Sequence, residues 1–89
     1  IKFMEVNQLI LIIKKKIEKN ILTQNILIKD QTYLHKSHSS HELGKFHLEL
    51  IIKSEELKKH SKIQATKKIY KILDDEIKNY LHSIRILIN

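Results

Sequence analysis

Between Met4 and Lys19 the apolar residues Val6, Ile10, Ile13 and Ile17 recur at steps of four, three and four, with Leu9 beside them. That spacing lays one apolar stripe along a helix, and KKKIEK (14–19) gives its last turn the positive charge that suits the negative end of the helix dipole. The helix is expected to stop near Asn20. NILIKDQ (25–31) is short and rich in β-formers with no helical spacing, which predicts a strand. In KFHLELIIK (45–53), Phe46, Leu48, Leu50 and Ile52 alternate with His47 and Glu49, so a second strand has one apolar side. SEELKKH (54–60) predicts a turn of helix capped by Ser54. Ser61 is a second cap signal, opening KIQATKKIYKILDDEIKNYL, where Ile69, Ile72, Leu73, Ile77 and Tyr80 form a stripe at helical spacing. HSIRILI (82–88) alternates Ile84, Ile86 and Ile88 against Ser83, Arg85 and Leu87 as a third strand.

The order is therefore α-β-β-α-α-β, with no internal repeat and no linker. Two helices on one face of a three-stranded mixed sheet would bury all the Ile/Leu stripes in a single two-layer α+β core. The long helix joins strands two and three, which can then lie parallel through a right-handed crossover; strands one and two should be antiparallel. We expect one domain spanning 1–89, monomeric when isolated and with a thin margin of stability at this length. The longest apolar run, LILII at 9–13, falls far short of the roughly 20 residues a membrane span needs, so no membrane partner is expected. The chain opens on Ile1 rather than Met, which leaves room for an upstream targeting segment and leaves the compartment open.

Composition narrows the chemistry. The apolar residues are mostly Ile and Leu and the cations nearly all Lys, a bias of the kind an AT-rich coding sequence produces. With no cysteine, disulfides and thiolate catalysis are excluded, and so is the usual ligand of an iron–sulfur cluster. The formal net charge is +7 with histidines neutral, which favours acidic partners or phosphate backbones. Arg85 is the single arginine, so the planar fork that usually reads base edges is nearly absent.

The stretch TYLHKSHSSHELGKFHLEL (32–50) spaces His35, His38 and His41 three residues apart, then reaches His47 as the second strand begins. With Ser37, Ser39, Ser40 and the only glycine, Gly44, it reads as an exposed connection at an end or edge of the sheet. Its imidazoles are either solvated, a zinc site, or ligands to some other metal. His47 should be exposed or hydrogen-bonded on the polar side of its strand, and His82 structural at the mouth of the last one. Catalysis is set aside. No glycine-rich turn offers an oxyanion cradle, and Asp74, Asp75 and Glu76 are consecutive on a helix and point in different directions.

From Ser54 to Ile86, SEELKKHSKIQATKKIYKILDDEIKNYLHSIRI, the chain resembles the BolA-like family. Ser54, Leu57, Ser61, Ile63, Ile69, Tyr70, Leu73, Glu76, Ile77 and His82 occupy the family's pattern positions without a gap, and His47-Leu48 sits where the family often has His-Phe. SEEL and DDEIK look most like the mitochondrial branch. The resemblance implies a fold similar to a type II KH domain and a non-enzymatic adaptor that binds a monothiol glutaredoxin, bare or sharing a [2Fe–2S] cluster, in iron–sulfur trafficking or iron homeostasis. The two cluster positions it implies fall on His35 and on Thr66. A threonine hydroxyl is a poor iron ligand where imidazole is a good one, so only one of the two is present. His60, if its turn lies at the same end of the sheet as the histidine segment, or His38 or His41, would replace the missing donor.

The alternative is a nucleic-acid-binding regulator, since bacterial members of the family are described as DNA-binding. The turn LKKHSK (57–62) lacks the GxxG of a KH loop. Lys58, Lys59, Lys62, Lys67 and Lys68 would instead hold phosphates as point charges, giving weak, salt-sensitive and sequence-blind binding. Equally, they form a solvated basic face or meet an acidic protein.

Overall fold

The computed structural model describes residues 4–32 and 45–89. Helix α1 (Val6–Asn20) begins at Glu5, whose carboxylate accepts the N–H groups of Asn7 and Gln8 at 3.0 and 3.1 Å, two of the donors a helix start leaves without partners. Its stripe buries Leu9, Ile13 and Ile17 completely. Strand β1 (Asn25–Asp30) pairs antiparallel with β2 (Phe46–Lys53), and β2 pairs parallel with β3 (Leu81–Ile88), in the order β1-β2-β3. Between β2 and β3 run α2 (Glu55–Lys58), α3 (Lys62–Ile72) and α4 (Asp74–Tyr80).

The expected α+β fold, with helices on one face of a three-stranded mixed sheet, is the fold observed. Parity along β2 divides the layers: Leu48, Leu50 and Ile52 turn toward Ile13, Ile17, Ala65, Ile69 and Leu73 to form the core. The other face carries a row Lys29–Glu49–Arg85 and beside it a row Leu27–Ile51–Leu87. Among the described residues no helix is long and apolar enough to cross a membrane.

One element differs from expectation. The long helix is parted at Leu73, which leaves helical geometry (φ −99°, ψ 17°) although its own N–H still bonds Ile69 O and its carbonyl accepts from Ile77 N. Leu73 is fully buried, so packing holds this corner without any side-chain cap. Beyond it α4 carries Glu76 to α1, where Lys16 Nζ lies 2.9 and 2.8 Å from its two carboxylate oxygens. Glu76 is buried and Lys16 partly in water. The hydrogen bond that Lys16 donates to Glu76 holds the ammonium above its ordinary value of 10.5; burial opposes it, and the charges of Glu76 and then Asp75 add to the rise.

A second polar tie closes the far end of β2. Ser54 is fully buried; its Oγ donates to Leu22 O at 2.8 Å and accepts Leu57 N–H at 3.1 Å, while its own N–H points to Asn89 O at 3.4 Å. One hydroxyl thus caps α2 and satisfies the carbonyl of the α1–β1 connection. The same connection is stitched down again by Gln24, whose N–H donates to Lys53 O and whose side-chain oxygen accepts from Glu55 N.

Ser54→Ala removes the cap and leaves Leu22 O unsatisfied. The expected cost is about 2 kcal/mol, a fall of roughly 8–16 °C in Tm for a domain of this size, read by thermal circular dichroism. A shift under about 3 °C would show that water replaces the hydroxyl.

Glu76→Gln removes a charge-assisted bond whose lysine is still partly solvated, so a loss of about 1 kcal/mol is expected at pH 7. Because the folded Lys16 value lies above the unfolded one, this contribution is complete below pH 10.5 and disappears as pH rises through the higher, folded value. Denaturant unfolding of both proteins from pH 7 to 11.5 should show a constant gap that closes only at the alkaline end.

Candidate histidine site at the loop end of the sheet

His35, His38 and His41 lie outside the described residues, but the residues that flank the segment do not. Thr32 is fixed three ways: its N–H and its hydroxyl both donate to Asp30 Oδ1, and its Oγ1 accepts His47 N–H at 3.1 Å. Gln31 N–H donates to His47 O at 2.7 Å. The chain therefore leaves β1 and re-enters at β2 at one end of the sheet, around His47.

At that same end β3 begins. The parallel register slips between Phe46↔Leu81 and His47↔Ser83, so two residues of β3, His82 and Ser83, stand against one of β2. This is a β-bulge, a device that re-aims side chains at the end of a ladder. Its result is a histidine pair. The rings of His47 and His82 have centroids 4.8 Å apart at 53°, and His47 Nδ1 lies 2.7 Å from Ser83 Oγ. His47 is buried and His82 exposed. The expectation of a hydrogen bond at His47 holds; exposure does not. A cavity of about 370 Å³ opens beside the pair on the helix-free face, with Gln31, Glu49, Ser83 and Arg85 on its walls and Arg85 Nη1 3.7 Å from Glu49 Oε2.

The other singled-out positions lie elsewhere. His60 is exposed in the turn after α2, its N–H bonded to Leu57 O, and that turn follows the last residue of β2. From His47 to Lys53 the strand advances six residues, about 20 Å. His60 therefore does not share an end of the sheet with the anchors of the histidine segment, so the condition on which it would replace the missing donor is not met at those anchors. Thr66 faces a cleft with Ile86, Leu87, Ile88 and Asn89 at that same distant end. Because β2 and β3 are parallel, the crossover must start α3 at the finish of β2, which carries the first turns of α3 away from the end where β2 begins.

The chemistry of the donors separates these places. Imidazole is a competent ligand for iron or zinc, and a neutral threonine hydroxyl is not. Among the described residues no three His, Cys, Asp or Glu are grouped to hold a metal by themselves, so a metal at His47 and His82 would need further donors from elsewhere. The sequence marks a histidine at the opening of β3. Nothing in it marks the bulge, which is what brings His82 onto His47.

The five lysines also divide. Lys58 lies 4.0 Å from Glu55, and Lys68 lies 3.5 Å from Glu56. Among the described residues no carboxylate pairs with Lys59, Lys62 or Lys67, and all three are exposed. Lys58 and Lys62 flank a cavity with His60. Lys68 instead lines a groove of about 470 Å³ with Lys71, Ile72 and Asn20, between α3 and the end of α1.

Comparison with known proteins agrees with the fold and with the residues that suggested it. The description BolA-like protein matches residues 17–88. The chain is 28% identical over 75 residues, 84% of its length, to the DNA-binding transcriptional regulator BolA of Haemophilus influenzae, covering 70% of that protein. Among solved structures, the BolA domain of SufE1 from Arabidopsis thaliana superposes with a TM-score of 0.75 at 29% identity, over 89% of this chain and 87% of that one. BolA1 from Arabidopsis thaliana, at 18% identity, shares the fold with a TM-score of 0.74 over the whole chain and 93% of its own. The profile match spans both paired strands of the histidine end and the whole crossover, and the chain belongs to the BolA-like family.

Proposed function

We propose that this protein is a non-enzymatic adaptor that meets a monothiol glutaredoxin at the histidine end of its sheet, bare or with a [2Fe–2S] cluster as shared cargo. The observation that carries the reading is the His47–His82 pair, set at 4.8 Å by the bulge beside the anchors of a segment bearing three more histidines. A chain without cysteine supplies no thiolate, so a cluster held here takes its sulfur ligands from the partner and imidazole from this side. His82, exposed, is the ring placed to reach a partner. His47, buried and bonded to Ser83, orients it from behind, as an outer-shell group does. His35 or His38 is the second donor; His60 is not.

A second reading is favoured by one observation. Three exposed lysines have no carboxylate partner among the described residues, Lys59 and Lys62 at the α2–α3 turn and Lys67 further along α3, in a chain whose Haemophilus relative is named a DNA-binding regulator. Such lysines supply backbone contacts and no base reading.

Anaerobic reconstitution with a monothiol glutaredoxin should give a heterodimer with a visible absorbance and circular dichroism spectrum distinct from that of the glutaredoxin alone. His82→Ala and His35→Ala should each alter that spectrum or hasten cluster loss, and His60→Ala should leave it unchanged. No heterodimer in either cluster-free or reconstituted mixtures would rule the adaptor out. A heterodimer whose spectrum ignores all three substitutions would rule out the histidine site while leaving the partner.

On the second reading, a duplex should bind with a log–log salt slope of about 3 for three phosphate contacts, falling by about 1 for each of Lys59→Gln, Lys62→Gln and Lys67→Gln, in fluorescence anisotropy. A slope unaffected by these changes would place any DNA binding elsewhere.

A further inference from the structure

The end of the molecule opposite the histidine pair holds a separate cavity. About 280 Å³ in volume, it lies between the α2–α3 turn and the finish of β3, and is lined by Leu57, Lys58, His60, Lys62, Ala65 and Ile88. Its lining sorts by chemistry. Leu57 and Ala65 are only 1% exposed and, with Ile88, make an apolar floor. Lys58, His60 and Lys62 make a rim of nitrogen donors with no acid among them. A second cleft of about 190 Å³ shares Lys62 and Ile88 and extends the floor along Ile86 and Leu87.

Three further facts bear on what would fit. Ser61 caps α3 by accepting Gln64 N–H at 3.1 Å, which leaves the N–H groups of Lys62 and Ile63 at the positive end of an 11-residue helix. Lys62 has no ion-pair partner among the described residues, and Lys58 has only Glu55 at 4.0 Å. The volume lies just under the range of pockets for drug-sized ligands, so the occupant is small.

A merely solvated basic turn accounts for the lysines but not for an apolar hollow beneath them. A nucleic-acid backbone needs the cations and has no use for the floor, and no aromatic residue lines the cavity to stack a base. A purely apolar ligand would leave the rim unused. We propose that this cavity binds a small amphipathic anion, a phosphate or carboxylate on a short apolar or aromatic stem. The anion rests against Lys58, His60 and Lys62, and the stem lies over Leu57, Ala65 and Ile88. This site is independent of the histidine end and of the glutaredoxin reading.

The test is a titration of the full chain, followed by amide NMR at near-physiological salt, with phenyl phosphate, phenylacetate, inorganic phosphate and benzyl alcohol. Phenyl phosphate or phenylacetate should shift resonances at 57–65 and 86–89. Whichever binds better assigns the head group, and it should bind about ten-fold more tightly than inorganic phosphate or benzyl alcohol, the margin expected from burying a ring. Lys62→Gln should weaken it about five-fold, Lys62→Arg should restore most of that, and Lys15→Gln on α1 should change nothing. Equal affinity for inorganic phosphate would overturn the proposal, as would equal affinity for benzyl alcohol or shifts spread evenly over surface lysines. A short oligonucleotide that shifts these residues when neither aromatic anion does would also overturn it and hand the turn to nucleic acid.

Discussion

The parallel pairing of β2 with β3 is the constraint from which the rest of this structure follows. Antiparallel strands can be joined by a tight turn, but parallel ones require the chain to travel back the length of the strand before it pairs again. Helices α2, α3 and α4 are that return path. Two consequences are fixed at once. The first residues of β2 and β3 lie side by side, so His47 meets Ser83 and, through the bulge, His82. The turn that starts the return lies where β2 ends, so Lys59, His60 and Lys62 gather at the opposite pole. The closing bonds confirm how tightly that pole is drawn: Ser54 N–H and Ile52 O both bond Asn89, the residue after β3.

Within that frame the hydrophobic terms outweigh the polar ones in number, and the polar ones decide geometry. Among the described residues, nine-tenths or more of each of thirteen Ile, Leu and Ala residues is removed from water, and each Ile or Leu side chain is worth of order 1.5–3 kcal/mol against exposure. Ridges of Ile and Leu tolerate sliding, however. Ser54 does not, because a buried hydroxyl with a donor and an acceptor role is satisfied in one arrangement only. Nor does Glu76, whose carboxylate is too deeply placed to be left without Lys16. The exposed pairs are different. Lys78–Asp74 and Lys58–Glu55 lie in water and contribute little, so they shape the surface potential rather than the fold.

Much of this was legible in the sequence, and the reason is periodicity. A two-residue repeat in β2 and a three-to-four-residue repeat in α1 and α3 state which side chains face the core, and the length of the return path states that β2 and β3 are parallel. What was not legible depends on contacts between residues far apart in the chain. The corner at Leu73 carries neither Gly nor Pro; it exists because a fully buried leucine is packed into the core there. Among the three consecutive acids, Glu76 is the one that meets the lysine sixty positions earlier, a contact its spacing does not announce. The bulge at His82 leaves no mark in the alternation of Ile84, Ile86 and Ile88. The place of His60 was recoverable from topology: once β2 and β3 are parallel, a turn that follows β2 cannot share an end with a segment that precedes it.

The two poles divide their physical chemistry between charge at one end and imidazole at the other. Lysine charge acts over about a Debye length, roughly 8 Å at physiological salt, and asks for no fixed geometry. A net charge of +7 therefore attracts acidic surfaces at long range. Imidazole acts only at bond distance and asks for orientation, and the ring pair sits on the paired starts of β2 and β3, with a hydrogen bond between His47 Nδ1 and Ser83 Oγ to hold it. Strand β2, in the middle of the sheet and buried on its helix side, separates the two by about 20 Å without a hinge. Coupling between the poles would require an element with two arrangements. Between Lys62 and Tyr80 the Leu73 corner is where the helix departs from regular geometry, and just beyond it α4 is tied to α1 by the buried Glu76.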